Sequence, residues 1–492
     1  DQKIEIPCKY MLNENVISFK LLKSYNKKYP LIIDPVLIFS TYSGSSAMNW
    51  GQTATYDNSG HLYAGSISFA IGYPTTLGPF QQFFGGGNTD MCITKFSTDG
   101  TSLIYSTYLG GNGPENPHSL VVNDNNELFV FGSTGSPNFP TSTNAYDNTF
   151  NGGSSWGFIW NGATYYIPYP NGTDIVVTKF SSNGNNLLGS TFVGGTGNDG
   201  INESGASSYN TSGLCNFYAD EYRGEIILDT AGNCYVASTT KSIDFPMVGA
   251  AQTNSGGLQD AVVFKLNNDL SSLLWSSYYG GNQNDAAYSL QINSLGDVYI
   301  TGGTMSGNLN TTSTSAQPNY NGGVDGFIAK FDNLNNLSAA TYVGNSGYNQ
   351  NYFVQIDINN DVFVFGLTNS AIPSFPAGIY STSGSQYIQK FTSDLSSISL
   401  SSTFGTGSVT KTITPTAFLV SDCGLIYVCG WGGLNGTGST FNLPITSNAF
   451  QSTTDGADFY LGVFEENMQA LLYGTYFGGT QSDEHVDGGT SR

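Results

Sequence analysis

STYLGGNG, at Ser106–Gly113, is one of seven versions of a single phrase. The others are STYSGSS from Ser40, STFVGGTG from Ser190, SSYYGGNQ from Ser276, ATYVGNSG from Ala340, STFGTGS from Ser402 and GTYFGGTQ from Gly474. In chain order the spacings are 66, 84, 86, 64, 62 and 72 residues. Recurrence at such periods marks a chain built from one supersecondary unit, and it overrides any domain count taken from length.

The unit is read most directly between two of the phrases. AYSLQIN (Ala287–Asn293), a turn SLG, DVYITGG (Asp297–Gly303), a loop, DGFIAKF (Asp325–Phe331), a turn DNLN and LSAATYVG (Leu337–Gly344) are four apolar or alternating runs bounded by Asn, Asp or Gly. That is the pattern of four antiparallel strands. ELFVFGS, NCYVAST, DVFVFGL and LIYVCGW (from Glu127, Asn233, Asp361 and Leu425) repeat the second strand. DMCITKF, DIVVTKF, DAVVFKL, SQYIQKF and DFYLGVF (from Asp90, Asp174, Asp260, Ser385 and Asp458) repeat the third.

The expected fold is therefore all-β: a β-propeller of four-stranded antiparallel blades, six complete and a partial seventh closed by the N-terminal strand. A solenoid is the alternative. The blades fall near residues 45–109, 110–194, 195–280, 281–344, 345–405 and 406–478. The seventh pairs LIFSTYSG (Leu37–Gly44), as its outermost strand, with a first strand near His485–Ser491, its middle strands lying beyond Arg492; closure removes exposed sheet edges. STYLGGNG is then an outermost strand entering the crossing to the next blade, with Gly-Gly easing the backbone through it. Residues 1–35 fit no repeat; they read as the C-terminal part of a preceding β-domain, bounded at Asp34–Pro35 and followed by the propeller at 36–492.

Composition agrees with this fold and narrows the function. Glycine is abundant (62 residues), 14% of residues are aromatic and only 10% are charged, which suits short strands and glycine turns. From Val36 onward nine basic side chains face 32 acidic ones, a net charge of −23. Such a surface repels phosphate backbones and anionic lipid, so neither a nucleic acid nor a membrane is expected as partner. No apolar run reaches the ~18–20 residues of a membrane span. Six cysteines without CxxC spacing give no zinc or redox motif, and Cys92, Cys234 and Cys429 read as packing residues on strands.

No GxSxG, HExxH, phosphate-loop or dinucleotide fingerprint occurs, and His61, His118 and His485 are too scattered for a nucleophilic triad. His118 and His485 begin innermost strands and so are expected to face the channel. The Asp and Lys that recur in the third strand (Asp90/Lys95, Asp174/Lys179, Asp260/Lys265, Asp325/Lys330) read as scaffold: an Asp accepting backbone N–H groups, a Lys covering the blade edge. These observations point away from an enzyme. Calcium is a candidate ligand at the junctions through Asp199, Asp285 and Asp483, which are otherwise solvated turn residues; no other cofactor is indicated. The strongest lead is the loop Thr134–Thr173, which carries Trp156, Phe158, Trp160, Tyr165 and Tyr166. By strand parity it shares a face with the long crossing Thr196–Arg223. Its aromatics either bind a sugar or a protein, or form a small core that pins the loop to its own blade.

The blade phrase with TKF and STYLGG resembles the SBBP β-propeller repeat. VCGWGG (Val428–Gly433), SNAFQSTTDGADFYLGVF (Ser447–Phe464), LLYGTYFGG and HVDGGTSR are similar to the N-terminal region of large gliding-motility-associated surface proteins of Bacteroidota. The resemblance covers nearly the whole chain. It implies a secreted, type IX-exported protein at the cell surface, associated with the outer membrane and used in adhesion or gliding. Its partners would be a protein or glycan at the cell surface, or the secretion machinery, and it supplies no catalytic residue. The expected function is thus a non-catalytic interaction scaffold; the alternatives are a carbohydrate-active propeller, with channel-facing Asp285 or Asp483 near His118, and a structural spacer.

Overall fold

The protein is described by a computed structural model over residues 8–13, 16–21, 38–160, 165–205, 213–217, 219–408, 412–432 and 439–479. The chain divides into two compact units, Asp1–Thr41 and Tyr42–Arg492. In the first, strands Cys8–Asn13 and Val16–Leu21 pair antiparallel; the expected boundary at Asp34–Pro35 lies outside the described residues. The second unit is a β-propeller. Among the described residues no helix is long and apolar enough to cross a membrane.

Four of its sheets are separate and four-stranded, each running outward in chain order from an innermost strand. The first sheet comprises Asn49–Tyr56, Leu62–Ser68, Asp90–Phe96 and Leu103–Leu109; the second spans Glu115–Val193, the third Glu225–Tyr279 and the last Thr414–Phe477. Between the third and the last lies an eight-stranded sheet, Asp285–Phe404, whose halves are linked by Gly323–Phe331 and Gly347–Ile356. These two strands meet in parallel at Gly323↔Gly347 and Val324↔Tyr348.

The same local devices recur in every sheet but the last, where Ser421 and Val463 stand at the corresponding places. Hairpin turns open on Asp57, Asn123, Asp229, Asn293 and Asp357, whose side-chain oxygen accepts the N–H groups two and four residues on, an Asx turn that presets each reversal. The third-strand Lys lies opposite an aromatic residue of the second strand: Lys95 faces Tyr63, Lys179 Phe129, Lys265 Tyr235, Lys330 Tyr299 and Lys390 Phe363. Each ammonium rests 4.6–5.4 Å from that ring's centre and 2.8–3.0 Å from a carboxylate of the hairpin turn. A β-bulge follows the lysine every time, and twists the edge away from further pairing. The lysine thus joins two hairpins through charge and π contact; it lies on an inner strand, paired on both sides, and not on the blade edge as expected. Lys330→Met is expected to cost about 1–2 kcal/mol, the sum of a half-buried ion pair and a cation–π contact, measured as a shift in the urea midpoint at unchanged slope.

The third-strand aspartates do accept backbone N–H groups, Asp90 from Gly85, Asp174 from Asn151 and Gly152, Asp260 from Gly256 and Asp325 from Asn321. Their carboxylates also explain Gly-Gly. A Cβ on Gly194 would lie 2.7 Å from Asp199 Oδ2 and 2.9 Å from Asp174 Oδ1, so the glycine is required by crowding between two carboxylates. Backbone freedom, the expected reason, is not needed at Gly194, but it is at Gly344 (φ 145°) and Gly405 (φ 155°), the same place in two other phrases.

Two features depart from expectation. Residues 38–44, expected as the outermost strand of a seventh blade, lie in no strand, and Ile38 (80% exposed) and Tyr42 (94%) stand in solvent. The partner expected for them, near His485–Ser491, lies outside the described residues. One face of the last sheet is open. Leu461 is 38% exposed, whereas Ile93, Val177, Val263, Ile328 and Ile388, at the same register position of the other sheets, are 0% exposed.

Candidate functional site

The axis of the propeller is filled by the chain itself. Within the crossing Thr196–Arg223, Asn202 donates to Tyr288 Oη at 2.8 Å, Tyr222 packs on the His118 ring, Asp220 accepts from Tyr352 Oη at 3.1 Å and Arg223 donates to the Pro415 carbonyl at 3.0 Å. These four partners belong to four different innermost strands. Arg223 and Asp220 form a fully enclosed ion pair at 2.7 Å, with the guanidinium 4.4 Å above the Tyr352 ring. His118 is buried, bonded to Ser133 Oγ at 3.0 Å, and burial lowers its pKa to about 3. It is a neutral core residue; His485 lies outside the described residues.

The aromatic loop meets the crossing on the expected common face, where Asn198 Nδ2 reaches Ser154 Oγ at 3.5 Å. Strands Trp156–Trp160 and Tyr165–Tyr169 pair as a hairpin. Half-buried Trp156 tilts against Tyr169, their ring centres 5.7 Å apart, and both join Trp50, Ile67, Ile201 and Tyr222 in one apolar cluster. Trp156 thus packs in a small core, but one shared with Trp50 and Ile67 of the first sheet and not confined to the loop's own blade. The side chains of Phe158, Trp160, Tyr165 and Tyr166 lie outside the described residues.

The acids named for calcium are spent on the junctions. Asp199 accepts from Gly195 N and Ser242 Oγ, both at 2.8 Å, and from Thr240 Oγ1. Asp285 accepts from Gly281 N at 2.7 Å, Ser306 Oγ at 2.8 Å and Thr304 Oγ1. Burial, the largest influence, raises Asp199 to about 7 and Asp285 to about 6 against these bonds. The two acids serve separate junctions, and Asp483 lies outside the described residues. Among the described residues no three His, Cys, Asp or Glu side chains converge as a metal site would need, and Cys92, Cys215, Cys234, Cys423 and Cys429 are unpaired.

The structure instead opens a cleft of about 710 Å³ at the seam between the eight-stranded and last sheets. One wall comes from the Asp361 hairpin turn, Lys390, Ser399 and Leu400; the loop at Pro376–Ile379 forms a second. Across from them, Glu465, Asn467 and Gln469 project from the turn between Phe459–Phe464 and Leu471–Phe477. Tyr380 N donates to the Met468 carbonyl at 2.6 Å and ties the loop to that turn. Lys390 Nζ lies 3.0 Å from both Asp357 and Asp361. Burial works to lower its pKa, but the bonds and charges of the two aspartates outweigh it and hold the ammonium above its usual value. The cleft therefore presents two carboxylates from different sheets, two amides, a hydroxyl and a fixed cation beside the apolar Ile379 and Leu400. Sequence reasoning missed it, although one signal was available. The turn EENMQA (Glu465–Ala470) is the only third-to-fourth-strand turn with glutamates, where the others read STDGTS, SSNGNN, NNDLSS, DNLNN and TSDLSS.

Residues 1–36 match a domain of unknown function, DUF7948. No curated protein matches the chain in sequence. Solved structures similar to it include a protein of unknown function from Bacteroides caccae (9% identity, 80% of this chain and 92% of that one, TM-score 0.36). A Penicillium chrysogenum α-L-arabinanase complexed with arabinobiose is similar over 76% of this chain and 83% of its own (10% identity, TM-score 0.34). The Hadza microbial sialidase Hz136 is similar over 78% of this chain and 63% of its own (6% identity, TM-score 0.32). At these scores the likeness is one of strand arrangement and assigns no residue a role. The two expectations of a non-catalytic scaffold and of no enzymatic activity find no support among these structures, whose named enzymes are an arabinanase and a sialidase.

Proposed function

We propose that this chain is a carbohydrate-active β-propeller that engages a neutral glycan in the cleft between Asp361 and Glu465. The observation that carries this reading is the cleft's lining. Two carboxylates, two amides and a lysine facing apolar walls in about 710 Å³ suit the hydroxyl groups and apolar faces of a sugar, in the usual size range of ligand sites. Two carboxylates flanking one bound glycosidic bond are the general means of its acid–base cleavage. An acidic sugar fits poorly. The chain carries a net charge of −21 and two arginines; Arg223 is enclosed against Asp220, and Lys390 is held by two aspartates.

The test is a panel of neutral polysaccharides assayed for binding and hydrolysis. Glu465→Gln is expected to lower turnover at least about a hundredfold, as for loss of a general acid or base, with binding retained; Asn467→Ala is expected to weaken binding. Absence of both binding and turnover across the panel, or activity indifferent to both substitutions, would sink the reading.

Two further inferences rest on the repeat. The eight-stranded sheet counts as two blades, because two parallel residue pairs are a crossing contact rather than a ladder, which gives six. The resemblance to SBBP surface proteins supports placement at the cell surface, and protease treatment of intact cells checks it: protection of the chain from digestion would count against that location.

A further inference from the structure

Asp90 and Glu115 face each other across Gly110, at the junction between the first and second sheets. Both are 0% exposed. Asp90 Oδ2 accepts from Gly85 N at 2.5 Å and Gln81 Nε2 at 3.3 Å, and Glu115 Oε1 accepts from Thr134 Oγ1 at 2.7 Å and from Ser136 Oγ. Their other oxygens, Asp90 Oδ1 and Glu115 Oε2, are buried, with the Gly111 N–H acting on the Glu115 carboxyl. Both aim at one point: a Cβ on Gly110 would lie 2.9 Å from the first and 2.5 Å from the second. Two ionised carboxylates here would set like charges together out of water, and a proton is the simplest remedy.

The repeat also places an uncharged residue at this position. At the junction after Gly344, the residue corresponding to Glu115 is Asn349. Its Oδ1 accepts from Thr368 Oγ1 at 2.9 Å, as Glu115 accepts from Thr134, and its Nδ2 lies 2.9 Å from the Cβ point of Gly344. Asn349 Nδ2 donates to the Asn345 carbonyl at 2.6 Å, whereas Asp199 and Asp285, at the same place in two other junctions, accept on both oxygens. The place therefore accommodates an uncharged side chain as well as an acid, and a protonated glutamic acid is one such side chain.

We propose that Glu115 carries a proton in the folded protein and donates it from Oε2 to Asp90 Oδ1, making this junction a proton-binding latch between two sheets. Burial, the largest influence, supports it by raising Asp90 to about 7 and Glu115 well above its usual range, where the charge of Asp90 adds to the effect. The neighbouring titratable groups, Cys92 beside Asp90, Tyr169 beside Glu115 and His118 on the same strand as Glu115, are held neutral by burial. The sign follows from raised folded-state values. The latch stabilises fully below the unfolded carboxyl pKa near 4, and is lost as pH rises through about 7 and beyond.

The experiment follows thermal midpoints from pH 6 to pH 9, with the infrared carboxyl band at pH 7.5. Glu115→Gln is expected to match the parent within a few degrees at pH 6, to halve the fall toward pH 9 and to remove part of the neutral-carboxyl band. Asp90→Asn tests the other side of the pair should the first variant fold poorly. Proton uptake by the unaltered protein on refolding at pH 8 is expected and needs no variant. A band unchanged by substitution, an equally steep fall, or refolding without proton uptake would overturn the latch. So would a calcium-dependent rise in the parent's midpoint at pH 8 that Glu115→Gln abolishes, since the pair would then hold a cation.

Discussion

Arg223→Met is expected to destabilise the propeller by about 3–5 kcal/mol, the usual cost of stranding one member of a buried ion pair. Urea unfolding would show it as a large loss of midpoint. Arg223 Nε bonds Asp220 Oδ1 at 2.7 Å with both side chains fully enclosed. Asp220 Oδ2 in turn accepts from Asn216 N, Phe217 N and Tyr352 Oη at 2.8–3.1 Å. Removing the guanidinium leaves a carboxylate at the propeller axis with neutral donors only, and it frees the Pro415 carbonyl, to which the crossing was anchored. Asp220→Asn keeps the acceptor and removes the charge, so Arg223→Met with Asp220→Asn is expected to be more stable than Arg223→Met alone. If the double variant is instead as weak as the sum of the two single ones, the pair is not coupled and the crossing is held by apolar packing alone.

That axis marks the limit of what the sequence discloses. STYLGGNG and its six relatives are legible because strand periodicity, turn residues and spacing all repeat, so errors in one unit are corrected by the others. The scaffold roles of Asp90, Asp174, Asp260 and Asp325 follow by the same logic: a residue needed once per sheet is a part of the sheet. The crossing Thr196–Arg223 occurs once. Its run LCNFYADEYR, Leu214–Arg223, mixes apolar and charged residues with no period of its own, and only the packing reveals that it lies across four innermost strands. The cleft was hidden for a related reason. Asp361 and Glu465 are about a hundred positions apart and become neighbours because adjacent sheets place their turns on one face. Trp156 is ambiguous for another reason. An aromatic loop rich in glycine and asparagine reads both as a binding surface and as a small core that pins the loop to its own blade, and only packing places half-buried Trp156 beside Tyr169 and against the cluster of Trp50 and Ile67.

Gly110→Ala is expected to cost about 1–3 kcal/mol or more, as for overpacking at a site that cannot relax, while Gly51→Ala stays within about 0.5 kcal/mol. The contrast isolates the reason for the second half of the recurrent phrase. A Cβ on Gly110 would meet Glu115 Oε2 at 2.5 Å and Asp90 Cγ at 2.7 Å. Neither can retreat, since Glu115 is bonded to Thr134 and Ser136 and Asp90 to Gly85. At Gly51, inside an innermost strand, nothing lies within 4 Å of the added atom, and alanine also narrows the unfolded ensemble slightly. Gly110 does not adopt a left-handed φ, so any loss measured there is steric. Equal stability of the two alanine variants in urea would show that the junction carboxylates can move apart, and would remove the crowding argument for Gly-Gly at Gly194 and Gly280 as well.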